Sequence, residues 1–413
     1  MRQFFEERQL ELLLIFAVMA AAAVRWVPSV SGFELIYGAS HWVLSYTHGL
    51  VRRGLVGSIF KLWVPVVSIG DVHRAALVAY CVFLGAMLFV FYRMLRRKDG
   101  RGGLFWIILL FVACPATVSM YGRDLSRFDL FLVMILGASF FLLSVEKQTW
   151  LIPLLMVAAL FIHEGFLILC APTILAAMLI MVVRSDRSRR MLWTLAVSAV
   201  FTGSGWFLLY RFGTPALGYD EFVRVIQARA AFPVTELSMR ECYYSIGDHM
   251  KLASPYLRDP GSMLNLAGAL MMLSPVLLVL VDLWRSAIRN SVGHRSAVVT
   301  LMAATLSGLL IIPIATDYGR WLSGVVFCNF FAVLFLVSQG IIGPADLQRY
   351  QDSRFCTFLG FMVLVYLLFG PLHDWNPYPF QQRLTASAFF MTSALAFDAG
   401  FVMWRLRNRA NPV

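Results

Sequence analysis

Charged residues are scarce in this chain. Only 14% of its 413 residues are Asp, Glu, Lys or Arg, whereas a typical soluble domain has about 25%. Hydrophobic residues make up 60% of the sequence. A water-soluble core cannot bury so much apolar surface, so the composition predicts an integral membrane protein and excludes an ordinary soluble enzyme.

The sequence also lacks the motifs of several functional classes. It has six cysteines but no Cys-x-x-Cys pair, so neither a zinc site nor a disulfide framework is predicted. It contains no Walker loop, no HExxH and no GxSxG, and ATP-driven transport is therefore not expected. The net charge of +12 is not arranged as a basic stripe interleaved with aromatic residues, so no nucleic-acid partner is predicted.

Long apolar runs are the main positive feature of the sequence. A transmembrane helix needs about 20 mostly apolar residues, and this rule gives about 12 spans. We therefore predict an all-α fold, a polytopic transmembrane helical bundle that forms one domain over residues 1–413. The first run is expected to be an uncleaved signal anchor. The runs lie at roughly 10–27, 73–92, 104–120, 128–145, 149–164, 166–183, 191–210, 261–282, 297–315, 322–339, 356–370 and 386–404.

Basic residues indicate which side of the membrane each loop occupies. Cytoplasmic loops carry an excess of Lys and Arg. Four basic clusters fall on the same side as the N-terminus, which is therefore predicted to be cytoplasmic. An even number of spans then places both termini in the cytoplasm. The clusters lie at 93–101, 184–190, 285–295 and 405–409.

The opposite, outer side holds two long loops, at 28–72 and 211–260. Arg52 and Arg53 lie in the first, within a glycine-rich run at 49–57 and a predicted short re-entrant or interfacial helix at 50–63. Arginine binds phosphate through two parallel hydrogen bonds, so this pair suggests a bound anion, and the glycines suggest close approach of a ligand to the backbone. Contact with anionic lipid headgroups is the alternative.

His163 and Glu164 interrupt the apolar stretch from 150 to 183. An ionisable residue inside the hydrocarbon costs at least ~2.5 kcal/mol unless it is paired or hydrated, so Glu164 is a candidate functional residue. Partial desolvation is expected to raise its pKa and to make it a general base. The alternative is a polar turn of a helical hairpin, bent at Gly165.

Two further groups of charged residues lie at predicted outer span ends. Asp317 and Arg320 stand in the string Asp-Tyr-Gly-Arg-Trp at 317–321, and Arg123 and Asp124 begin a charged run that also contains Arg127 and Asp129. Such pairs often line a polar cavity. The alternatives are an interfacial turn for the first group and a structural salt-bridge network for the second.

In these features the chain resembles bacterial integral-membrane proteins of surface-polysaccharide assembly. These include O-antigen and exopolysaccharide polymerases and, more broadly, lipid-dependent membrane glycosyltransferases. The number of predicted spans, the enlarged loop at 211–260 and the outer arginines carry the resemblance, with 49–57 and 317–321 as the most distinctive strings. The resemblance is architectural and covers most of the chain.

The resemblance implies a membrane glycosyltransferase or polysaccharide polymerase at the outer face of the bacterial inner membrane. Its donor would be a sugar linked to a polyprenyl diphosphate, and Glu164 or Asp317 would deprotonate the acceptor hydroxyl. The expected substrate ligands are Arg52, Arg53, Arg123, Asp124, His163 and Arg320.

The resemblance also bears on partners and cofactors. It implies contact with membrane lipids and with other polysaccharide-assembly proteins. Related lipid-phosphosugar transferases usually place an acidic residue early in the first outer loop, but no Asp-Asp or Glu-Asp pair occurs at 28–72. No cofactor is therefore expected; a divalent metal is compatible with the residues but not indicated by them.

A transporter or flippase of a lipid-linked or anionic substrate is the alternative function. It requires charges near the middle of the bilayer, along an alternating-access path. Here the charges instead crowd the outer ends of the predicted spans. An outward-facing cavity lined by Arg52, Arg53, Glu164 and Arg320 would favour the enzyme, whereas a path continuing to the cytoplasm would favour transport.

Overall fold

The computed structural model describes residues 2–24, 32–96, 101–184, 188–315, 317–369 and 384–410. These ranges are helical and contain no β-strand, apart from one isolated bridge between Val67 and Ala230. The predicted all-helical fold is confirmed. The α-helices are α1 Arg2–Val24, α2 Gly32–Trp42, α3 Gly54–Phe60, α4 Ile69–Leu95, α5 Arg101–Ala113, α6 Val118–Arg123, α7 Asp129–Val145, α8 Leu151–Ile162, α9 Phe166–Leu169, α10 Ala171–Arg184, α11 Ser188–Phe212, α12 Tyr219–Gln227, α13 Glu236–Glu241, α14 Ile246–Arg258, α15 Pro260–Asn290, α16 Arg295–Thr305, α17 Tyr318–Ser338, α18 Pro344–Gln348, α19 Ser353–Phe369 and α20 Leu384–Ala410. Short 3₁₀ helices occupy Tyr46–His48, Val292–His294, Ser307–Ile314 and Arg349–Gln351.

Seven helical stretches in the described residues are long and apolar enough to cross a membrane. Some of them continue through a short break, as α5 continues into α6. An eighth candidate is the bent pair Pro344–Gln351 and Ser353–Phe369, whose two parts meet at 77°. The chain is therefore a membrane protein with several spans. The seven are Ile69–Leu95, Arg101–Arg123, Phe166–Arg184, Arg189–Phe212, Pro260–Asn290, Val292–Ile314 and Tyr318–Ser338.

Three of the predicted spans correspond to shorter apolar helices: Gln9–Val24, Asp129–Val145 and Leu151–Ile162. The last has 12 residues and is about 18 Å long, against a hydrocarbon thickness of about 30 Å. It ends because His163 has an extended backbone. The break lies where the sequence predicted a boundary between the spans 149–164 and 166–183, at the polar residues His163 and Glu164. The connection between the predicted spans 356–370 and 386–404, residues 371–385, is expected on the outer side and lies almost wholly outside the described residues.

Helices α5 and α17 form the centre of the bundle. In the most apolar window of each of these two spans, 94% of the residues are buried, whereas only 22% are buried in the window of α11. The rings of Phe111 in α5 and Phe330 in α17 stack with their centroids 3.5 Å apart and their planes nearly parallel. A helix that is apolar on all sides is expected in such a central position.

One end of the bundle collects the basic residues, and we call it the basic end. Arg184 Nη1 at the end of α10 donates to the carbonyl oxygen of Gln339 after α17, at 3.0 Å. Arg289 at the end of α15 pairs with Asp346 at 3.0 Å. The predicted basic clusters at 184–190 and 285–295 therefore meet at the same end of the fold.

At the other end, the chain segments 28–72 and 211–260 pack against each other. The amide of Val67 donates to Arg229 O at 2.7 Å, and the amide of Ala231 donates to Val67 O at 2.9 Å. The amide of Arg52 donates to Gly213 O at 3.2 Å, and α2 packs on α13. These contacts fix the position of Arg53 relative to Glu241, the last residue of α13. This pairing of two distant segments was not predicted from the sequence.

Candidate functional site

A cavity of 340 Å³ lies at this second end, which we call the cavity end. Six of the eight predicted site residues line it, and they come from three separate parts of the chain. Arg123 and Asp124 are not among its described lining residues. The six are Arg52, Arg53, His163, Glu164, Asp317 and Arg320.

Arg53 is held in an unusual backbone conformation immediately before α3. Its φ of 61° and ψ of 15° lie in the left-handed region, which costs a non-glycine residue on the order of 1–3 kcal/mol and persists only where the surrounding contacts impose it. Gly57 lies so close to the preceding segment that an added Cβ would be 1.9 Å from Leu44 O, and a Cβ on Gly54 would be 2.6 Å from the ring of Tyr46. These two glycines therefore serve packing of the chain on itself, and the close approach of a ligand to the backbone stays a prediction.

The guanidinium of Arg53 bridges two carboxylates. Its Nη2 lies 2.8 Å from Glu164 Oε1, its Nε donates at 3.2 Å to the same carboxylate, and its Nη1 lies 2.6 Å from Glu241 Oε2. The three side chains are mostly buried, with 13%, 29% and 16% exposure for Arg53, Glu164 and Glu241. Charge-assisted, two-point contacts of this kind fix an arginine in both position and orientation.

Tyr37 and His41, both on α2, complete this group. The Tyr37 hydroxyl donates to Glu241 Oε1 at 2.6 Å, and His41 Nε2 lies 3.0 Å from Arg53 Nη1. Burial raises the pKa of Tyr37 and lowers the pKa of His41. The histidine is therefore neutral at pH 7, and its Nε2 can accept a hydrogen bond from Arg53. We call Tyr37, His41, Arg53, Glu164 and Glu241 the Arg53 cluster.

The pKa of Glu164 differs from the expectation. Burial acts to raise it, but the charge of Arg53 lowers it more, and the pKa lies well below its usual value. Burial and Arg53 act on Glu241 in the same way, with the same result. The predicted raised pKa of Glu164 is therefore wrong, because a guanidinium 2.8 Å away outweighs desolvation. Both carboxylates are ionised at pH 7 while Arg53 holds them.

His163 is a neutral member of the cavity wall. Its Nδ1 accepts a hydrogen bond from the amide of Gly165 at 3.0 Å, which requires an unprotonated Nδ1. Burial, assisted by the charge of Arg53, lowers the pKa of His163 to about 4. Its ring lies edge-on to Trp321 with centroids 6.1 Å apart. The residue therefore contributes shape and a neutral polar edge at pH 7.

A second ionic group, the Asp317 cluster, consists of Arg127, Asp129, Asp317 and Arg320. Arg127 Nη1 donates to Asp317 Oδ2 at 2.9 Å, and Arg320 pairs with both Asp317 and Asp129. Trp321 Nε1 donates to Asp317 Oδ1 at 3.1 Å. Burial acts to raise the pKa of Asp317, but the charges of Arg320 and Arg127 lower it by more than burial raises it. The net shift of the pKa is therefore downward. Asp317 and Arg320 thus pair with each other while also lining the cavity.

Tyr37 joins the two clusters. Its hydroxyl donates to Glu241, and the guanidinium carbon of Arg127 lies 5.0 Å from the centroid of its ring. The two clusters together contain three arginines and four carboxylates, so they are close to electrically balanced.

Arg52 differs from the other cavity arginines. Its Nη1 donates to the carbonyl oxygen of Tyr244 at 2.7 Å. Within the described ranges no carboxylate lies within ion-pair distance of it. Its guanidinium therefore has donor capacity left for an anion in the cavity.

Arg123 and Asp124 lie behind the cavity wall. Both are buried, with exposures of 8% and 6%. Neither carboxylate oxygen of Asp124 has a hydrogen-bond partner within the described part of the chain. The expected role of this pair as direct substrate ligands does not fit their position at the end of α6, since no side chain of α6 reaches the cavity lining.

The remainder of the cavity wall is largely apolar. It is built by α11, α14 and the 3₁₀ segment Ser307–Ile314. Ile246, Leu252 and Tyr256 on α14 are 52%, 45% and 40% exposed, so this wall continues to the outer surface of the protein. A charged floor beside an apolar wall suits an amphiphilic ligand. The apolar lining includes Trp206, Ile246, Leu252, Tyr256, Ile311 and Ile314.

Sequence reasoning missed Tyr37, His41, Glu241 and His249. All except His41 line the cavity. Glu241 and His249 lie in the segment 211–260, where charged residues are usually exposed. Only the positions of Ser238 and Leu237, three and four residues before Glu241, suggested that this side chain shares a helix face with them.

Comparison with protein-family models, curated proteins and solved structures found no match for this chain. The site must therefore be interpreted from its own geometry. Within the described residues, no three His, Cys, Asp or Glu side chains are grouped so that they could hold a metal ion.

Proposed function

We propose that the protein is a membrane glycosyltransferase or polysaccharide polymerase. Its donor is a sugar linked to a polyprenyl diphosphate, and it acts at the outer face of the bacterial inner membrane. The observation that carries the proposal is the cavity itself, which combines Arg52, Arg53 and Arg320 with Glu164 and Asp317 beside an apolar wall. A diphosphate needs arginines, an attacking hydroxyl needs a carboxylate, and a lipid tail needs an apolar surface.

The proposal includes the topology of the chain. We propose about 12 spans with both termini in the cytoplasm. The three shorter apolar helices and α20 would supply the spans beyond the seven or eight candidates. The basic end would face the cytoplasm because Lys and Arg are retained there, and the cavity end would face outward.

Diphosphate binding is proposed to proceed by exchange of ion-pair partners. Arg52 supplies the first contact, because it has no carboxylate partner among the described side chains. Arg53 then turns part of its guanidinium from Glu164 to a phosphate oxygen. Glu241 keeps hold of Nη1 on the other side, so the arginine remains anchored during the exchange.

The same exchange would activate Glu164. Without the full charge of Arg53, burial dominates and raises the pKa of the Glu164 carboxylate. Glu164 then accepts the proton of the acceptor hydroxyl as the hydroxyl oxygen bonds to the anomeric carbon. The bond from that carbon to the diphosphate breaks, and polyprenyl diphosphate leaves with the electron pair, stabilised by the arginines.

Asp317 is the weaker candidate for the base. It is held by Arg127, Arg320 and the indole of Trp321 at once. Its side chain is 11% exposed, against 29% for Glu164. We therefore assign Asp317 to positioning Arg320, and Glu164 to proton transfer.

The shape of the protein supports an enzyme over a transporter. Two other cavities lie at the basic end, and among the described lining residues none is shared with the cavity that holds Arg53. A transporter would need these spaces to connect in some state. The enzyme needs only lateral access from the membrane.

The test is the Glu164→Gln variant expressed in a strain that lacks the wild-type protein. We expect membrane insertion to be retained, polymer to be lost from a glycan gel, and lipid-linked glycans to accumulate. Glu221→Gln is the matched control, because Glu221 is exposed on α12 in the same segment as Glu241. Normal chain lengths from Glu164→Gln would refute the assignment.

A further inference from the structure

Two adjoining cavities lie at the basic end, remote from the candidate active site. The first has a volume of 650 Å³ and the second 130 Å³. They share four lining residues, Arg93, Phe141, Ser144 and Val145, so they form one continuous groove. Helix α7 runs from Asp129 in the Asp317 cluster to this groove, whose first lining residue on α7, Gly137, lies eight residues or about 12 Å further along the helix.

The larger cavity is polar and positively charged. Three of its lining side chains are cations, Arg93, Lys147 and Arg190, and one is an anion, Glu146. They come from three separate places, namely the end of α4, the turn after α7 and the start of α11. No ion pair joins Glu146 to any of these cations within the described residues. The cavity therefore presents unneutralised positive charge.

The turn that carries Lys147 has a defined and strained shape. Glu146 and Gln148 on either side of it both have left-handed backbone conformations, with φ of 53° and 52°. Arg93 is also fixed, since its guanidinium lies 5.3 Å from the centroid of the Phe141 ring. At least two of the three cations are thus placed by the fold.

The smaller cavity is apolar. Phe140, Phe331, Leu334 and Phe335 line it, and all four are buried. Gly137 keeps this part of the groove open, because an added Cβ would lie 3.1 Å from the Phe331 ring. Where the two cavities meet, Ser338 Oγ donates to Ser144 Oγ at 3.1 Å.

A ligand that fills the whole groove must have an anionic head and an apolar chain. We infer that the groove binds an anionic phospholipid, with the phosphate among Arg93, Lys147 and Arg190 and one acyl chain between α4, α7 and α17. Basic pockets between transmembrane helices commonly select anionic lipid headgroups. A soluble phosphate would use the cations but leave the apolar part unfilled. The site is independent of the proposed glycosyl transfer.

The experiment measures lipid binding to the full-length protein purified in detergent, by native mass spectrometry with added phosphatidylglycerol or phosphatidylcholine. Wild type should retain phosphatidylglycerol preferentially. The triple variant Arg93→Ala, Lys147→Ala, Arg190→Ala should lose on the order of 100-fold in affinity for it, at about one decade or less per cation. The affinity for phosphatidylcholine should not change.

The control removes the same charge elsewhere at the basic end. The triple variant Arg285→Ala, Arg295→Ala, Arg407→Ala changes three exposed arginines that do not line the groove and should bind like wild type. Equal loss in both triple variants would show only general attraction to a basic surface and would overturn the inference. So would equal retention of the two lipids by wild type.

A third arm separates a lipid from a free anion. Inorganic phosphate at millimolar concentration should not displace phosphatidylglycerol, and Val90→Trp, which narrows the apolar part of the groove, should weaken the lipid without removing any cation. Displacement by phosphate alone, or lipid binding unaffected by Val90→Trp, would contradict a lipid site.

Discussion

Arg53 and Glu164 form a two-point ion pair across 111 residues of sequence, with Nη2 to Oε1 at 2.8 Å and Nε to both carboxylate oxygens at 3.2 Å. The pair joins the segment before α3 to the break after α8. It explains why a charged turn is tolerated inside an apolar stretch. It also sets the resting state of the proposed catalytic base.

Removing Arg53 should destabilise the protein. Arg53→Ala leaves Glu164 and Glu241 buried without their cation, and breaking a buried pair in this way costs about 3–5 kcal/mol. The measurement is thermal unfolding in detergent. The triple variant Arg53→Met, Glu164→Gln, Glu241→Gln should recover most of the loss, because no buried charge is left unpaired. If Arg53→Ala unfolds like wild type, the pair has no structural role.

Glu164→Gln and Glu241→Gln should have different kinetic effects. Both weaken the hold on Arg53, so each is expected to bind polyprenyl diphosphate about 10-fold more tightly, a change of about 1.4 kcal/mol. Turnover should persist in Glu241→Gln with a lower KM and be lost in Glu164→Gln. The kcat and KM of both variants check this. Loss of turnover in both would make Glu241, and not Glu164 alone, part of the proton-transfer machinery.

Stability should fall as the pH drops below about 6.5. The unfolded chain protonates His163 near pH 6.5, but the folded pKa is about 4, so the unfolded state binds the extra proton between these values. The slope attributable to His163 is at most about 1.4 kcal/mol per pH unit. His163→Asn can still accept from the Gly165 amide and should remove that part of the slope. The measurement is the free energy of unfolding of wild type and His163→Asn from pH 4.5 to 7. Identical slopes against pH for the two proteins would contradict a neutral buried His163.

A separate loss is expected below about pH 4.5. The folded pKa values of Glu164 and Glu241 lie below the ordinary value of 4.5. Their pairing therefore contributes stability that is fully present above that value and is lost as the pH falls through the folded pKa.

Gly57 should be intolerant of even one methyl group. Gly57→Ala places a Cβ 1.9 Å from Leu44 O, so α3 must move and Arg53 with it. We expect loss of glycosyl transfer with the protein still inserted. Gly85→Ala on α4 is the matched control, since nothing lies within 4 Å of its added Cβ and alanine favours a helix. Equal activity of the two variants would show that the position of α3 does not matter to the site.

Composition and hydropathy were sufficient to predict a helical membrane protein, because burying apolar helices in lipid is the only stable use of such a sequence. Composition and hydropathy predicted the number of spans less well: about 12 were expected, and the described residues contain seven candidates, or eight with the bent pair. Hydropathy cannot separate a short buried helix such as Leu151–Ile162 from a complete span.

The charged residues at predicted outer span ends pointed to the cavity, because unpaired charges are costly at that depth. Glu241 and Tyr37 could not be predicted, since their position depends on contacts between segments 188 to 204 residues apart in the sequence. The predicted direction of the Glu164 pKa shift was wrong for the same reason. Desolvation can be anticipated from an apolar neighbourhood, whereas a guanidinium that arrives from 111 residues away cannot.

The most direct measurement is photo-crosslinking of the purified protein with a polyprenyl diphosphate that carries a diazirine near its head. The account predicts labelled peptides from α11, α14 and the segment 307–314, with labelling lost in the variant Arg52→Ala, Arg53→Ala and displaced by unlabelled polyprenyl diphosphate but not by polyprenol. Labelling confined to other surfaces, or unaffected by removing both arginines, would contradict it.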